Sequence, residues 1–246
     1  MNKENEFLQK LQERFKHIVE TRRLNEQKLE ISCSVLTAEE AIGRPDRDDF
    51  PLLKGKEKLM QARCGDSCGQ AFTDMPFEYS GKVGDLVTMS LNTNFERAVF
   101  ISGMNAVLRE LGMTDRTIHC RDAGPRQCGQ EMAATIEREY GRPRIAMFGL
   151  QPAIAESLAG KFELRIFDLD PDNIGQNRFG RVIEDGGCVL EQVEVWADLF
   201  LVTGSTICNG SIIDFLPLTK PVIFFGTTIA GPASLLGLNR LCFQSY

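Results

Sequence analysis

The sequence predicts an α/β protein: a small N-terminal α+β domain followed by a Rossmann-like domain with a parallel sheet. Two observations predict it. From Arg144 onward, short apolar runs at 145–148, 164–167, 199–202 and 222–225 each stop at glycine, threonine or aspartate, with helical patterns between them. Strands alternating with helices at this spacing form parallel sheets. Ahead of them, residues 1–112 hold few strand patterns and several helical ones, as an α+β layer does. The predicted division is 1–115 for the first domain, 116–141 for a connector and helix, and 142–246 for the second.

The elements follow in order. Leu8, Leu11, Phe15, Ile18 and Val19 recur at steps of three and four among charges, giving an amphipathic helix over 4–27. Residues 29–36 alternate as a strand with Cys33 in the core, and 57–63 offer a second strand. Residues 64–70 (CGDSCGQ) read as a glycine-flanked loop, and 83–89 as a helix. Thr93 and Glu96 make a capping box that opens a helix running to Gly112. His119 and Cys120 lie in the connector that follows. Pro125 at a first-turn position then starts a helix with Cys128, Met132, Ile136 and Tyr140 on one face. In the second half, helices are expected at 152–158, 189–195, from Asn209, and near 233–236. A long loop is expected at 171–187 and a last strand at 241–243.

Composition narrows the class. Of 246 residues, 43% are hydrophobic and 25% charged, ordinary values for a soluble globular chain. The net charge of −6 comes without a basic block, which argues against a nucleic-acid partner. No apolar run reaches membrane-spanning length, and the polar start is unlike a secretory signal, so a cytoplasmic location is expected, with no membrane partner. Eight cysteines in a reducing compartment are not expected to be disulfides.

The stretch with most chemistry is 199–210, LFLVTGSTICNG. An apolar strand runs into Thr203, Gly204, Ser205 and Thr206, with Asn209 read as the N-cap of the next helix. Ligands bind at the carboxyl ends of strands in open α/β sheets, and a helix N-terminus adds N–H donors for polar or anionic groups. The blander reading is that Ser205, Thr206 and Asn209 only cap that helix. Gly149 ends the first strand of this half, but Gly149-Leu150-Gln151-Pro152 lacks the glycines of a dinucleotide turn. Asp168 stands where a ribose-binding acid would, although an acid after a strand is common.

The run Thr203-Gly204-Ser205-Thr206 with Asn209-Gly210 resembles the heavy-metal chelation family of bacteria and archaea. Asn105-Ala106 in the long helix, the strand closing at Asp168 and the strand closing at Gly226 support the likeness. The resemblance implies an enolase N-terminal-like domain followed by a Rossmann-like domain, with the ligand in the cleft between them. It adds Asn105, Gly226 and Thr227 to the candidate ligand contacts. Thr227-Thr228 departs from the family pattern, in which a proline-bearing turn is expected.

Cys64, Cys68, His119, Cys120 and Cys128 are candidate metal ligands, since thiolates and imidazole suit zinc, copper(I) and iron–sulfur clusters. Cys128 in a first helical turn is expected to have a lowered pKa. The alternative is a set of free thiols, as the C-x3-C spacing is looser than a zinc knuckle and the two groups lie far apart in sequence. Zinc and an iron–sulfur cluster are not distinguished. Cys33, Cys188, Cys208 and Cys242 read as packing, and so does His17. No GxSxG, P-loop, HExxH or kinase pattern is present. The leading expectation is therefore a binding protein for a metal or a metal-bearing small molecule, with homo-oligomerisation open. The alternative is an enzyme of unknown reaction that takes a nucleotide-like molecule such as S-adenosylmethionine.

Overall fold

A computed structural model describes residues 3–25, 30–54, 57–188 and 190–246. The first half comprises α1 (Lys3–Thr21), β1 (Glu30–Val35), α2 (Ala38–Ile42), α3 (Pro51–Lys54), β2 (Lys58–Cys64), β3 (Ser67–Thr73), β4 (Tyr79–Lys82), α4 (Val83–Leu86) and α5 (Asn94–Glu110). Next come α6 (Gly124–Tyr140), β5 (Ile145–Phe148), α7 (Pro152–Ala159), β6 (Leu164–Asp168), β7 (Asn177–Arg178), β8 (Arg181–Asp185) and α8 (Leu190–Trp196). The chain closes with β9 (Leu199–Thr203), α9 (Thr206–Asn209), α10 (Ile212–Phe215), β10 (Val222–Phe225), α11 (Ala230–Leu236) and β11 (Arg240–Leu241).

As the sequence predicts, a small sheet precedes a larger, mostly parallel one. The small sheet, in order β3-β2-β1-β4, is antiparallel throughout. The large sheet runs β11-β10-β9-β5-β6-β8-β7, and β7 alone pairs antiparallel.

Alternation along the parallel strands sorts their side chains into two cores. Ile145, Met147, Leu164, Ile166, Leu199, Leu201 and Ile223 pack with Met132 and Ile136 of α6 and with Ile154 and Leu158 of α7. Ala146, Phe148, Phe167, Phe200, Val202 and Phe224 point the other way, into a core shared with α1, α5 and the small sheet. α5 is the centre of that core. Its capping box forms as expected, with Thr93 Oγ1 accepting from Glu96 N–H and Glu96 accepting from Thr93 N–H. From 97 to 108 every residue of it is buried, which is why its hydrophobic pattern is not one-sided. Gly69 of β3 permits the close approach, because a Cβ there would strike the α5 backbone at Ala106 N and Ser102 O. α1 lays Leu8, Leu11, Phe15 and Val19 on the same core, with Phe15 edge-on to Phe100 at 5.9 Å between ring centroids.

Several expectations are corrected. Residues 64–70 form no open loop: Gly65, at φ +59°, and Asp66 make a two-residue turn, and Cys64 pairs with Ser67 in a β2–β3 hairpin. The 171–187 stretch contains β7 and β8, and β8 extends the sheet beside β6. Its RVIED sequence was not legible as a strand because Ile183 is its only buried side chain. Asn209 is the last residue of α9, and its Oδ1 accepts from Ser211 N–H at 3.0 Å, so it organises a turn and does not cap a helix. The first helix stops at Thr21, and the predicted positions 26, 27, 29 and 189 lie outside the described residues. β4 joins the small sheet where no strand was expected, the helix from Val83 stops at Leu86, and the last strand spans 240–241.

Candidate ligand site at the sheet switch point

The chain enters the large sheet at β5 and builds outward through β6 and β8. It then returns to lay β9 on the other side of β5, followed by β10 and β11. The order reverses between β5 and β9, and such a switch point leaves a crevice at the carboxyl ends of the strands. Gly149 and Thr203 flank it. Gly149 sits at φ +89°, where a Cβ would lie 2.5 Å from Thr203 Cγ2, so glycine is required on both counts.

The residues of 203–209 divide by role. Thr203 Oγ1 and Ser205 Oγ lie 3.1 Å apart and hydrogen-bond to each other, and both residues are half-buried at the end of β9. Thr206 is buried and its hydroxyl donates back to Thr203 O at 2.8 Å. Gly204 is a packing glycine, since a Cβ would meet Ile229 Cβ at 2.7 Å. Asn209 is exposed. On the next strand Gly226 is half-buried, at φ +100°. Thr227 is fully buried, with an Oγ1 that has no hydrogen-bond partner among the described residues.

Asp168 lies on the other side of β5. Its carboxylate accepts from Leu150 N–H at 2.7 Å and from Asp170 N–H at 2.8 Å, pinning the turn after β5. Glu57, just before β2, comes near it from the small sheet. Burial first, and then the charges of Asp168, Asp74 and Asp170, raise the Glu57 carboxyl to about 7. Glu57 thus feels negative charge from Asp168 and Asp170 of the large-sheet half, although among the described residues no three acidic, histidine or cysteine side chains are grouped so as to hold a metal ion.

Asn105 has a different place from the one the resemblance implies. It is fully buried, its Nδ2 donates to the carbonyls of Gln70, Thr227 and Thr228, and its Oδ1 accepts from Gly231 N–H. With the amide thus occupied, it ties β3 to the segment after β10 and presents nothing to a ligand.

The five candidate metal ligands do not meet. Among the described residues, no three histidine, cysteine, aspartate or glutamate side chains are grouped so as to hold a metal ion. The four-ligand set of a structural zinc or iron–sulfur centre is thus not assembled by these side chains. Alternation across the hairpin sends Cys64, paired with Ser67, to the opposite face from Cys68, paired with Arg63. The Cys64 thiol is pushed up to about 11, by burial and then by Glu110. His119 packs edge-on to Phe72 at 5.6 Å, and burial lowers it to about 4, leaving a neutral imidazole. Cys128 departs from expectation: its pKa is raised, first by donating a hydrogen bond to the Cys242 sulfur and then by burial. Cys242, read as packing, is the sulfur whose pKa falls. No signal in the sequence links it to Cys128, because strand β11 and helix α6 meet only in the fold.

Residues 132–235 match the model of the family DUF364, described as "putative heavy-metal chelation", so the resemblance read from the sequence is borne out over that segment. Among solved structures, a DUF364-family protein of unknown function from Pyrococcus horikoshii is similar, with 17% identity and a TM-score of 0.48 over 89% of this chain and 79% of that one. Another DUF364-family protein of unknown function, from Desulfitobacterium hafniense DCB-2, shares 16% identity with a TM-score of 0.46 over 73% of this chain and 72% of that one. A search of the curated proteins finds no match.

Proposed function

We propose that this is a cytoplasmic binding protein that holds a metal ion or a metal-bearing small molecule at the carboxyl ends of the parallel strands. The observation that carries the reading is that Gly149 and Thr203 flank the switch point between β5 and β9. Thr203 and Ser205 supply hydroxyls there, Gly226 lets a ligand approach the backbone, and Asp168 with Glu57 supplies negative charge for a cation. In this reading 142–246 is the binding domain and 1–115 the domain that closes over the cleft. The family match over 132–235 favours a metal as ligand.

Thermal unfolding with added zinc(II), iron(II) or S-adenosylmethionine tests the reading. A metal at about 100 times its Kd stabilises the folded state by about 2.7 kcal/mol. Ser205→Tyr, which fills the mouth, abolishes that shift while leaving the unliganded transition in place. No shift with either metal, or a shift that survives in Ser205→Tyr, overturns it. A second reading, an enzyme for a nucleotide-like substrate, is favoured by the acid at the end of β6 beside the switch point. It predicts that S-adenosylmethionine alone gives the shift.

A further inference from the structure

A pocket of about 400 Å³ lies where the segment after α5, helix α11 and strand β11 meet. α5 ends in a turn at Gly112, whose φ is +66°, and Met113 N–H closes on Leu108 O at 2.8 Å. Two hydroxyls then tie that segment to α11. Thr114 Oγ1 donates to Ala230 O at 3.2 Å, and Ser234 Oγ donates to Met113 O at 2.7 Å. From β11, Arg240 reaches the same pocket. Its Nε donates to Gly226 O at 2.9 Å, its Nη2 to Arg116 O at 2.6 Å and its Nη1 to Asp115 O at 3.5 Å. The guanidinium is thus fixed by three carbonyls, and among the described residues no carboxylate forms an ion pair with it. The exposed side chain of Asp115 lines the pocket as well.

We propose that this pocket binds a free α-amino acid with a short aliphatic side chain, its carboxylate on Arg240 and its ammonium among Asp115, Thr114 and Ser234. The donors and acceptors sort that way. Arg240 keeps one N–H on each terminal nitrogen beyond those given to carbonyls, and a guanidinium fork suits a carboxylate. Thr114 and Ser234 have each committed their hydroxyl proton to a carbonyl, so toward a ligand their oxygens only accept. An ionised Asp115 also only accepts. An ammonium brings donors to all three. Phosphate satisfies Arg240 but sets its own oxygens against this row of acceptors. Ala233 and Leu238 line the pocket with apolar atoms, against which a short aliphatic side chain packs. Because the guanidinium is already held in place, binding costs little ordering of it. The site uses none of Thr203, Ser205, Asp168 or Glu57 and does not depend on the metal-binding reading.

Calorimetric titration of the metal-free protein with L-valine tests this, with isovalerate and inorganic phosphate as comparison ligands. One L-valine per chain is expected. Isovalerate, which lacks the amino group, and phosphate should each bind at least about tenfold more weakly, the scale of a lost hydrogen bond to a charged group. Asp115→Asn, a change at an exposed side chain, should weaken L-valine by about tenfold and leave isovalerate where it was. Arg240→Met should abolish binding of both. If that variant fails to fold, Ser234→Tyr, which fills the pocket from an exposed position, takes its place with the same expected loss. The proposal is overturned by no binding of L-valine at millimolar concentration, by phosphate binding as tightly as L-valine, or by unchanged L-valine binding in Asp115→Asn. Since no metal is present in this titration, its failure is separate from failure of the strand-end reading, which is judged with metal ions and Ser205→Tyr.

Discussion

Asn105 Oδ1 accepts from Gly231 N–H at 2.7 Å, and a Cβ on Gly231 would lie 2.7 Å from that same oxygen. The contact joins the middle of α5 to the first turn of α11, and it does so with no room for a side chain. Asn105 also donates to three carbonyls, so both the acceptor and the donor of one buried amide bind the two sheets together.

Asn105→Ala takes the side-chain partner from Gly231 N–H and from the carbonyls of Gln70 and Thr228, while Thr227 O keeps the N–H of Ala230. Each unsatisfied buried group costs about 1–3 kcal/mol, so a loss of at least about 3 kcal/mol is expected in urea unfolding. Gly231→Ala disturbs the same contact by crowding. The two changes together should cost less than the sum of the singles, and additivity would contradict the coupling.

Gly149→Ala meets both an unfavourable φ of +89° and the Thr203 methyl. The backbone part costs about 1–3 kcal/mol. Adding Thr203→Ser removes Cγ2 but not φ, so it should recover the steric share alone. Thermal melts of the single and double variants read this directly, and no recovery would mean that the methyl is not the obstacle.

Gly69→Ala would drive a methyl into the α5 backbone, which has no rotamer with which to yield. Overpacking costs about 1–3 kcal/mol, occasionally more, and this case belongs at the upper end. Denaturant midpoints measure it. A loss below about 1 kcal/mol would show that β3 can slide away from α5.

His119 and Glu57 give stability opposite dependences on pH. His119 falls from 6.5 to about 4 in the fold, so the unfolded chain binds more protons between those values and stability rises with pH across them. Glu57 rises from 4.5 to about 7, so the folded chain binds more protons and stability falls as pH climbs through that window. Glu57→Gln removes the second effect. It should leave stability at pH 4 unchanged and raise it at pH 8 by about 1 kcal/mol, the shift being discounted for partial exposure. A metal ion held beside Asp168 and Glu57 would reverse that sign, which pH-dependent melts with and without zinc(II) can show.

The reach of the sequence followed the range of the forces involved. Thr203, Ser205 and Gly149 were legible as candidates because a strand end is announced locally, by apolar residues giving way to small polar ones. The capping box at Thr93 and Glu96 was legible for the same reason. β3 and β8 were not, since each takes its hydrogen bonds from a neighbour that periodicity does not name. Asn105 was named as a ligand contact, whereas its use as a bracket depends on carbonyls more than 120 residues onward, which local pattern cannot name.

Local pattern thus determined the α/β class, the run of parallel strands and the small polar residues at their ends, because each is encoded within a few turns of chain. The tertiary structure decided which of those ends are neighbours, that Cys64 and Cys68 face apart, and that Cys128 meets Cys242. Strand order and thiol contacts are set by the packing of distant segments into shared cores, and spacing along the chain carries no record of that.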